Sequence, residues 1–153
     1  MIKLILNMKK ILLLLVLAIS FSCLQEEMDY TEQNEIDIQS YITENNLSVQ
    51  KTASGLYYII NSSGSGLRPA FNSNVTLGYR GYFLNGATFD EARSATFNVS
   101  QVVPGFGEAV RLLKPGGSGT FILPSRLGYG NSGSGNINPG DVIIFNINLI
   151  SIN

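Results

Sequence analysis

The residue pattern predicts an α+β fold, a small antiparallel sheet packed on one short helix. Three observations carry this. Short runs rich in β-branched and aromatic residues are separated by Gly-, Asn- and Ser-rich loops. Asn85-Gly86 stands between two such runs as a hairpin signal, because both residue types tolerate positive φ. One stretch alone between the runs, Val102, Val103, Phe106, Ala109, Val110 and Leu113, repeats its apolar residues at three- and four-residue steps.

Taken in order, Leu56-Tyr57-Tyr58-Ile59-Ile60 reads as a strand, and Asn61 to Gly66 as the loop that ends it. Val75, Leu77 and Tyr79 alternate with Thr76, Gly78 and Arg80, the period of a half-buried strand. Thr88-Phe89 opens the strand returning from the Asn85-Gly86 turn. The amphipathic stretch opens as a helix near Pro104 and closes at Lys114-Pro115-Gly116. Thr120 to Leu123 forms another strand, stopped by Pro124. In the last, Val142 to Ile150, Phe145, Ile147 and Leu149 alternate with Asn146 and Asn148, so one face is wet.

The N-terminal third has a different character. Lys9 and Lys10 precede the apolar run Ile11 to Ile19, and small residues at Ser20 and Ser22 lead to Cys23. A basic start, a short apolar core and small residues before a cut site describe an export signal over 1–22, with Met1 or Met8 as its start. The run is too short for a membrane-spanning helix, which needs about 20 apolar residues. A cysteine at that position resembles the cleavage box of bacterial lipoproteins, which implies a lipid anchor on Cys23. A secreted protein with an unpaired cysteine is the alternative. Residues 24–50 carry seven acidic side chains and no Lys or Arg, so 23–50 reads as an acidic tether. Within it Asn34 is placed to cap a helix, Glu35 and Asp37 suit its first turn, and Ile38, Tyr41 and Ile42 form a stripe that packs on the following domain or on a second copy. Asn45-Asn46 ends it.

Composition narrows the chemistry. The chain has 153 residues, 44% of them hydrophobic and 14% charged, which excludes wholesale disorder. It has no histidine and one cysteine, so it has no His-based nucleophilic system, no internal disulfide and no Cys- or His-based metal site. No glycine pattern carries the lysine or acid of a nucleotide site, and no cofactor is expected. A net charge of −1 gives no basis for nucleic-acid binding.

Five motifs then occur in order: Val75-x-x-x-Tyr79-x-Gly81; Asn85-Gly86-x-x-Phe89-Asp90; Val103-Pro104-Gly105-Phe106-x-Glu108-Ala109; Ile122-Leu123-Pro124-Ser125-x-Leu127-Gly128-Tyr129-Gly130; and Ile137-x-Pro139 with Val142-Ile143-Ile144-Phe145. This series, spanning 51–153, resembles the FKBP-type peptidyl-prolyl cis–trans isomerases. The resemblance implies a five- or six-stranded antiparallel sheet wrapped around one short helix, with an aromatic pocket between them. It implies pocket walls at Tyr79, Phe89, Phe97, Val102, Val103, Tyr129, Ile137 and Phe145, a floor at Phe106 and one rim carboxylate at Asp90. It assigns catalysis to Tyr79, Phe89, Asp90 and Tyr129, and substrate binding to Phe97, Val102, Val103, Phe106, Ile137 and Phe145. The backbone N–H of Val103 and the phenol of Tyr129 would bond the substrate's carbonyls, under a flap formed by 128–140. Three positions depart from the family: Phe106 replaces the usual tryptophan, and Glu91-Ala92 replaces a pair of small hydroxyl residues.

The expected partners are proline-containing polypeptide segments and a membrane, the latter through the anchor. The expected function is isomerisation of prolyl bonds in exported proteins at the cell envelope. A non-catalytic FKBP-like binding module and an accessory lipoprotein of a surface complex are the alternatives.

Overall fold

The computed structural model describes residues 28–153. The expected signal segment and Cys23 lie outside the described residues. Helix α1 spans Thr31–Glu44 and α2 spans Pro104–Leu112. The strands are β1 (Gln50–Lys51), β2 (Tyr57–Ser62), β3 (Asn74–Phe83), β4 (Thr88–Asn98), β5 (Ser118–Leu123) and β6 (Ile143–Ile152). They form one six-stranded sheet in the order β1-β2-β5-β6-β3-β4, with every neighbouring pair antiparallel.

The two-residue period of the strands sorts side chains onto two faces. Phe121 and Leu123 of β5, with Ile143, Phe145, Ile147 and Leu149 of β6, join Phe106, Ala109 and Val110 of α2 in the main core. Alternating with them, Ile122 and Ile144 turn to the opposite face, where Ile38 of α1 is fully buried against them and Tyr41 and Ile42 pack alongside. Further along β6 that face is uncovered, and Asn146, Asn148 and Ile150 are exposed. The stripe on α1 therefore packs on the body that follows it. The acidic stretch is thus not all tether: its helix covers the part of one sheet face around Ile122 and Ile144.

Two local expectations are corrected. Asn34 does not cap α1. The N-cap is Tyr30, without a side-chain cap; the Thr31 N–H donates to Asp29 Oδ1 at 2.9 Å, and Asn34 lies one turn inside the helix, on the buried stripe, 2% exposed. Glu35 likewise lies beyond the first turn; it accepts from the Tyr57 hydroxyl and pairs with Lys51 at 3.0 Å, fastening α1 to β1 and β2. In the β3–β4 turn only Gly86 takes positive φ (85°); Asn85 does not. Gly86 N–H donates to Phe83 O and Phe83 N–H to Ala87 O, while Asn85 Oδ1 accepts from Ala87 N–H. This is a turn followed by a left-handed glycine, which lets Asn85 keep ordinary φ and spend its side chain on the turn.

Candidate functional site

Helix α2 starts where its sequence requires. Pro104 supplies the fixed φ of a first helical residue, and Val103 before it is extended. That entry turns the Phe106 ring onto the sheet, where it is 5% exposed. Strands β3, β4 and β6 supply the facing rings. Phe106 meets Phe145 at 4.8 Å, Tyr79 at 5.8 Å and Phe97 at 5.8 Å, all edge to face. Tyr79 also meets Phe97 at 5.6 Å, edge to face. Rings set edge to face cannot close on one another as a flat stack, and these leave an open cup.

The cup has a volume of about 340 Å³ and is lined by Tyr79, Asp90, Phe97, Gln101, Val102, Val103, Phe106, Tyr129 and Phe145. A proline ring with its flanking peptide units fits a space of this size. Phe89 and Ile137 line an adjoining hollow of about 320 Å³, which shares Asp90 and Tyr129 with the cup. Phe89 touches the cup from behind, its ring 5.7 Å from Phe145 and 5.1 Å from Phe83. Gly81 makes this arrangement possible, since a Cβ there would lie 2.6 Å from Phe89 Cζ and 2.7 Å from Phe145 Cε1. Two roomier clefts, each about 460 Å³, flank the 128–140 segment, but each is walled by a single aromatic residue.

The polar groups are few. The Tyr79 hydroxyl donates to Asp90 Oδ2 at 2.6 Å. Burial, and then the carboxylate that accepts its hydrogen bond, push the Tyr79 phenol up to about 12. Tyr79 is therefore a neutral donor locked onto Asp90. The Tyr129 hydroxyl and the Val103 N–H have no protein acceptor among the described residues. The cup thus offers an apolar floor, and two of its lining residues carry a donor without a protein acceptor. Among the described residues no three His, Cys, Asp or Glu side chains gather as a metal site.

Of the expected residues, Tyr79, Asp90, Phe97, Val102, Val103, Phe106, Tyr129 and Phe145 line the cup, while Phe89 and Ile137 line the hollow beside it. Gln101 at the rim was missed. It ends the 3-10 turn Val99–Gln101 that delivers the chain to Val102, and its place directly before the Val102-Val103 pair was the available signal.

The family model for "FKBP-type peptidyl-prolyl cis-trans isomerase" matches residues 66–150. A probable FKBP-type peptidyl-prolyl cis-trans isomerase FkpA of Neisseria meningitidis is 41% identical over 109 residues, which is 68% of this chain and 40% of that one. The outer membrane protein MIP of Legionella longbeachae is 40% identical over 104 residues, 65% of this chain and 45% of that one. This chain thus spans less than half the length of either relative. The crystal structure of FkpA from Escherichia coli superposes with a TM-score of 0.73 at 23% identity, covering 95% of this chain and 71% of that one. With the six-stranded sheet, the single helix of the main core and the aromatic cup between them, the match fixes the family: the chain belongs to the FKBP-type peptidyl-prolyl cis–trans isomerases.

Proposed function

We propose that the protein catalyses cis–trans isomerisation of prolyl peptide bonds in exported polypeptides, without covalent chemistry. The observation that carries this is the cup itself, with five ring side chains, an apolar floor at Phe106, and Tyr129 and the Val103 N–H as donors without a protein acceptor among the described residues. The barrier to rotation is loss of amide resonance, about 18–20 kcal/mol. Uncatalysed rotation takes tens to hundreds of seconds. The planar amide separates charge more than the twisted one does. A dry pocket that seats the proline ring on Phe106 therefore favours the twisted state. The two donors hold the flanking carbonyls so that rotation occurs about one bond. Lowering the barrier by about 5–7 kcal/mol gives an acceleration of four to five decades. Asp90 acts through Tyr79, fixing its ring as a wall.

We infer further that the body, residues 51–153, with helix α1 of the 23–50 segment packed on it, is held at the cell envelope by a lipid on Cys23. The signal-like segment 1–22 supports this, as does the outer-membrane designation of the Legionella relative. Helix α1 begins at Thr31, so eight residues, 23–30, link the proposed anchor to it. Eight residues span at most about 29 Å when extended. The mass of the mature N-terminus tests this: a diacylated or triacylated Cys23 supports it, and an unmodified one refutes it.

A protease-free assay of cis–trans relaxation in an Ala-X-Pro peptide tests the activity. Acceleration by catalytic amounts of the full chain is expected. Peptide binding without acceleration would make the protein a binding module, the reading that the smaller Phe106 floor would then favour.

A further inference from the structure

Asn34 is buried, polar and far in sequence from both of its partners. Its Nδ2–H donates to Gly140 O at 2.8 Å, and its Oδ1 accepts from Ser125 N–H at 2.6 Å. These partners are the two roots of the 128–140 segment. Ser125 lies four residues before Tyr129, and Gly140 three residues after Ile137. The roots are also joined to each other, since Gly130 N–H donates to Ser125 O at 2.8 Å and Gly140 N–H to Gly130 O at 2.9 Å. Tyr30, at the start of α1, lays its ring against Gly140 so closely that no Cβ could be accommodated there. The segment held in this way carries Tyr129, which lines both the cup and the hollow beside it, and Ile137, which lines the hollow.

We propose that Asn34 is a positioning residue for the prolyl site: one side-chain amide of helix α1 staples both ends of the 128–140 flap and so sets where Tyr129 and Ile137 stand. The physical case rests on the amide's geometry. Only a side chain with a donor and an acceptor on one carbon can satisfy an N–H and a C=O together. Both backbone groups would otherwise be left without partners, an outcome that folded proteins avoid. The staple comes from the helix nearest the N-terminal segment, on the face of the sheet opposite α2. The isomerase body therefore extends through α1, and the pocket wall carried by 128–140 is braced from outside the 51–153 region. This rests on the proposed function for its effect on catalysis, but not for its effect on the flap.

The test uses the full chain with N34A, which removes both bonds, and N34D, which keeps the acceptor for Ser125 N–H and loses the donor to Gly140. Two readouts are taken: amide hydrogen exchange along 125–140, and KM and kcat on a prolyl peptide. In N34A, exchange at Ser125, whose N–H loses its acceptor, should rise about tenfold or more, and exchange at Gly130 and Gly140, whose N–H groups join the two roots, should rise with it. Exchange in β5 and β6 should be unchanged. KM should rise several-fold with a smaller change in kcat, because Tyr129 is displaced on average rather than removed. N34D should loosen the Gly140 root more than the Ser125 root, a graded pattern that general destabilisation would not produce. Unchanged flap exchange in a folded N34A overturns the proposal. Should N34A fail to fold, N34D and Y30A leave the Ile38, Tyr41 and Ile42 stripe intact, and unaltered flap exchange in both overturns it. A wild-type chain without turnover would remove the proposed function, while the exchange data would still decide the staple.

Discussion

Tyr129 and Tyr79 both present a phenol at the cup, and removing each hydroxyl separates a group that acts on substrate from one that acts on the protein. Tyr129→Phe deletes one oxygen that has no protein partner among the described residues. The folded state therefore loses nothing it had, and stability should change by less than about 0.5 kcal/mol. If the phenol donates to a substrate carbonyl, the loss is that of one neutral hydrogen bond, about 0.5–1.5 kcal/mol. This corresponds to a two- to twelvefold fall in kcat/KM, at about 1.4 kcal/mol per decade. Tyr79→Phe deletes an oxygen that donates to Asp90 at 2.6 Å. A charge-assisted bond is broken, but Asp90 is exposed and water replaces the donor, so the cost is about 1 kcal/mol. Melting should then drop by about 2–4 °C. The assay is a peptide isomerisation rate beside a thermal melt for each variant. Full turnover in Tyr129→Phe, or a melting loss in it equal to that of Tyr79→Phe, would refute the assignment of the free donor to substrate.

Gly81→Ala should cost about 1–3 kcal/mol and most of the turnover, because its methyl would be driven into Phe89 and Phe145; a fully active, equally stable variant contradicts this. Ile38→Ala opens a fully buried site on the far sheet face and should cost about 2–5 kcal/mol in chemical denaturation, which would show that α1 belongs to the folded body; an unchanged midpoint would return it to the tether. Burial and Asp90 raise the Tyr79 phenol to about 12, above its unfolded value of 10.0, so the native state holds that proton longer. Its contribution is complete below pH 10 and is lost as pH rises towards 12; Tyr79→Phe should therefore flatten the alkaline limb of a stability profile. The Tyr57 hydroxyl, then Lys51, lower the Glu35 carboxyl, so its contribution is present above its ordinary value of 4.5 and is lost as pH falls below it. Glu35→Gln should flatten the acid limb, and an unaltered limb would remove Glu35 as a fastening of α1.

Much of this was legible in the residues because periodicity reports burial. β6 alternates Phe145, Ile147 and Leu149 with Asn146 and Asn148, and the structure buries the first set and exposes the second. Pro104 and the three- and four-residue steps after it mark α2 to within a residue or two. Asn34 was misread because its local preference is for caps, whereas its partners lie 106 and 91 residues away, which no short-range pattern encodes. Its spacing of four from Ile38 put it on the buried stripe and was the sign overlooked. The Asn85-Gly86 turn shows the same limit. The residue pair permits two turn types, and the flanking strands and the Asn85 side chain select between them. Phe89, which lines the neighbouring hollow, sits where β4 shifts register against β3, between the Gly81–Asp90 and Tyr82–Thr88 pairs, a tertiary feature with no mark of its own in the sequence.

The most direct measurement is the NMR exchange rate between the cis and trans resonances of a short Ala-Pro peptide, taken with the full chain at a small fraction of the peptide concentration. The account predicts exchange accelerated by orders of magnitude with wild type and strongly reduced with Phe89→Ala, the domain remaining folded. Peptide resonances that shift on binding while the two isomers interconvert at the uncatalysed rate would contradict it.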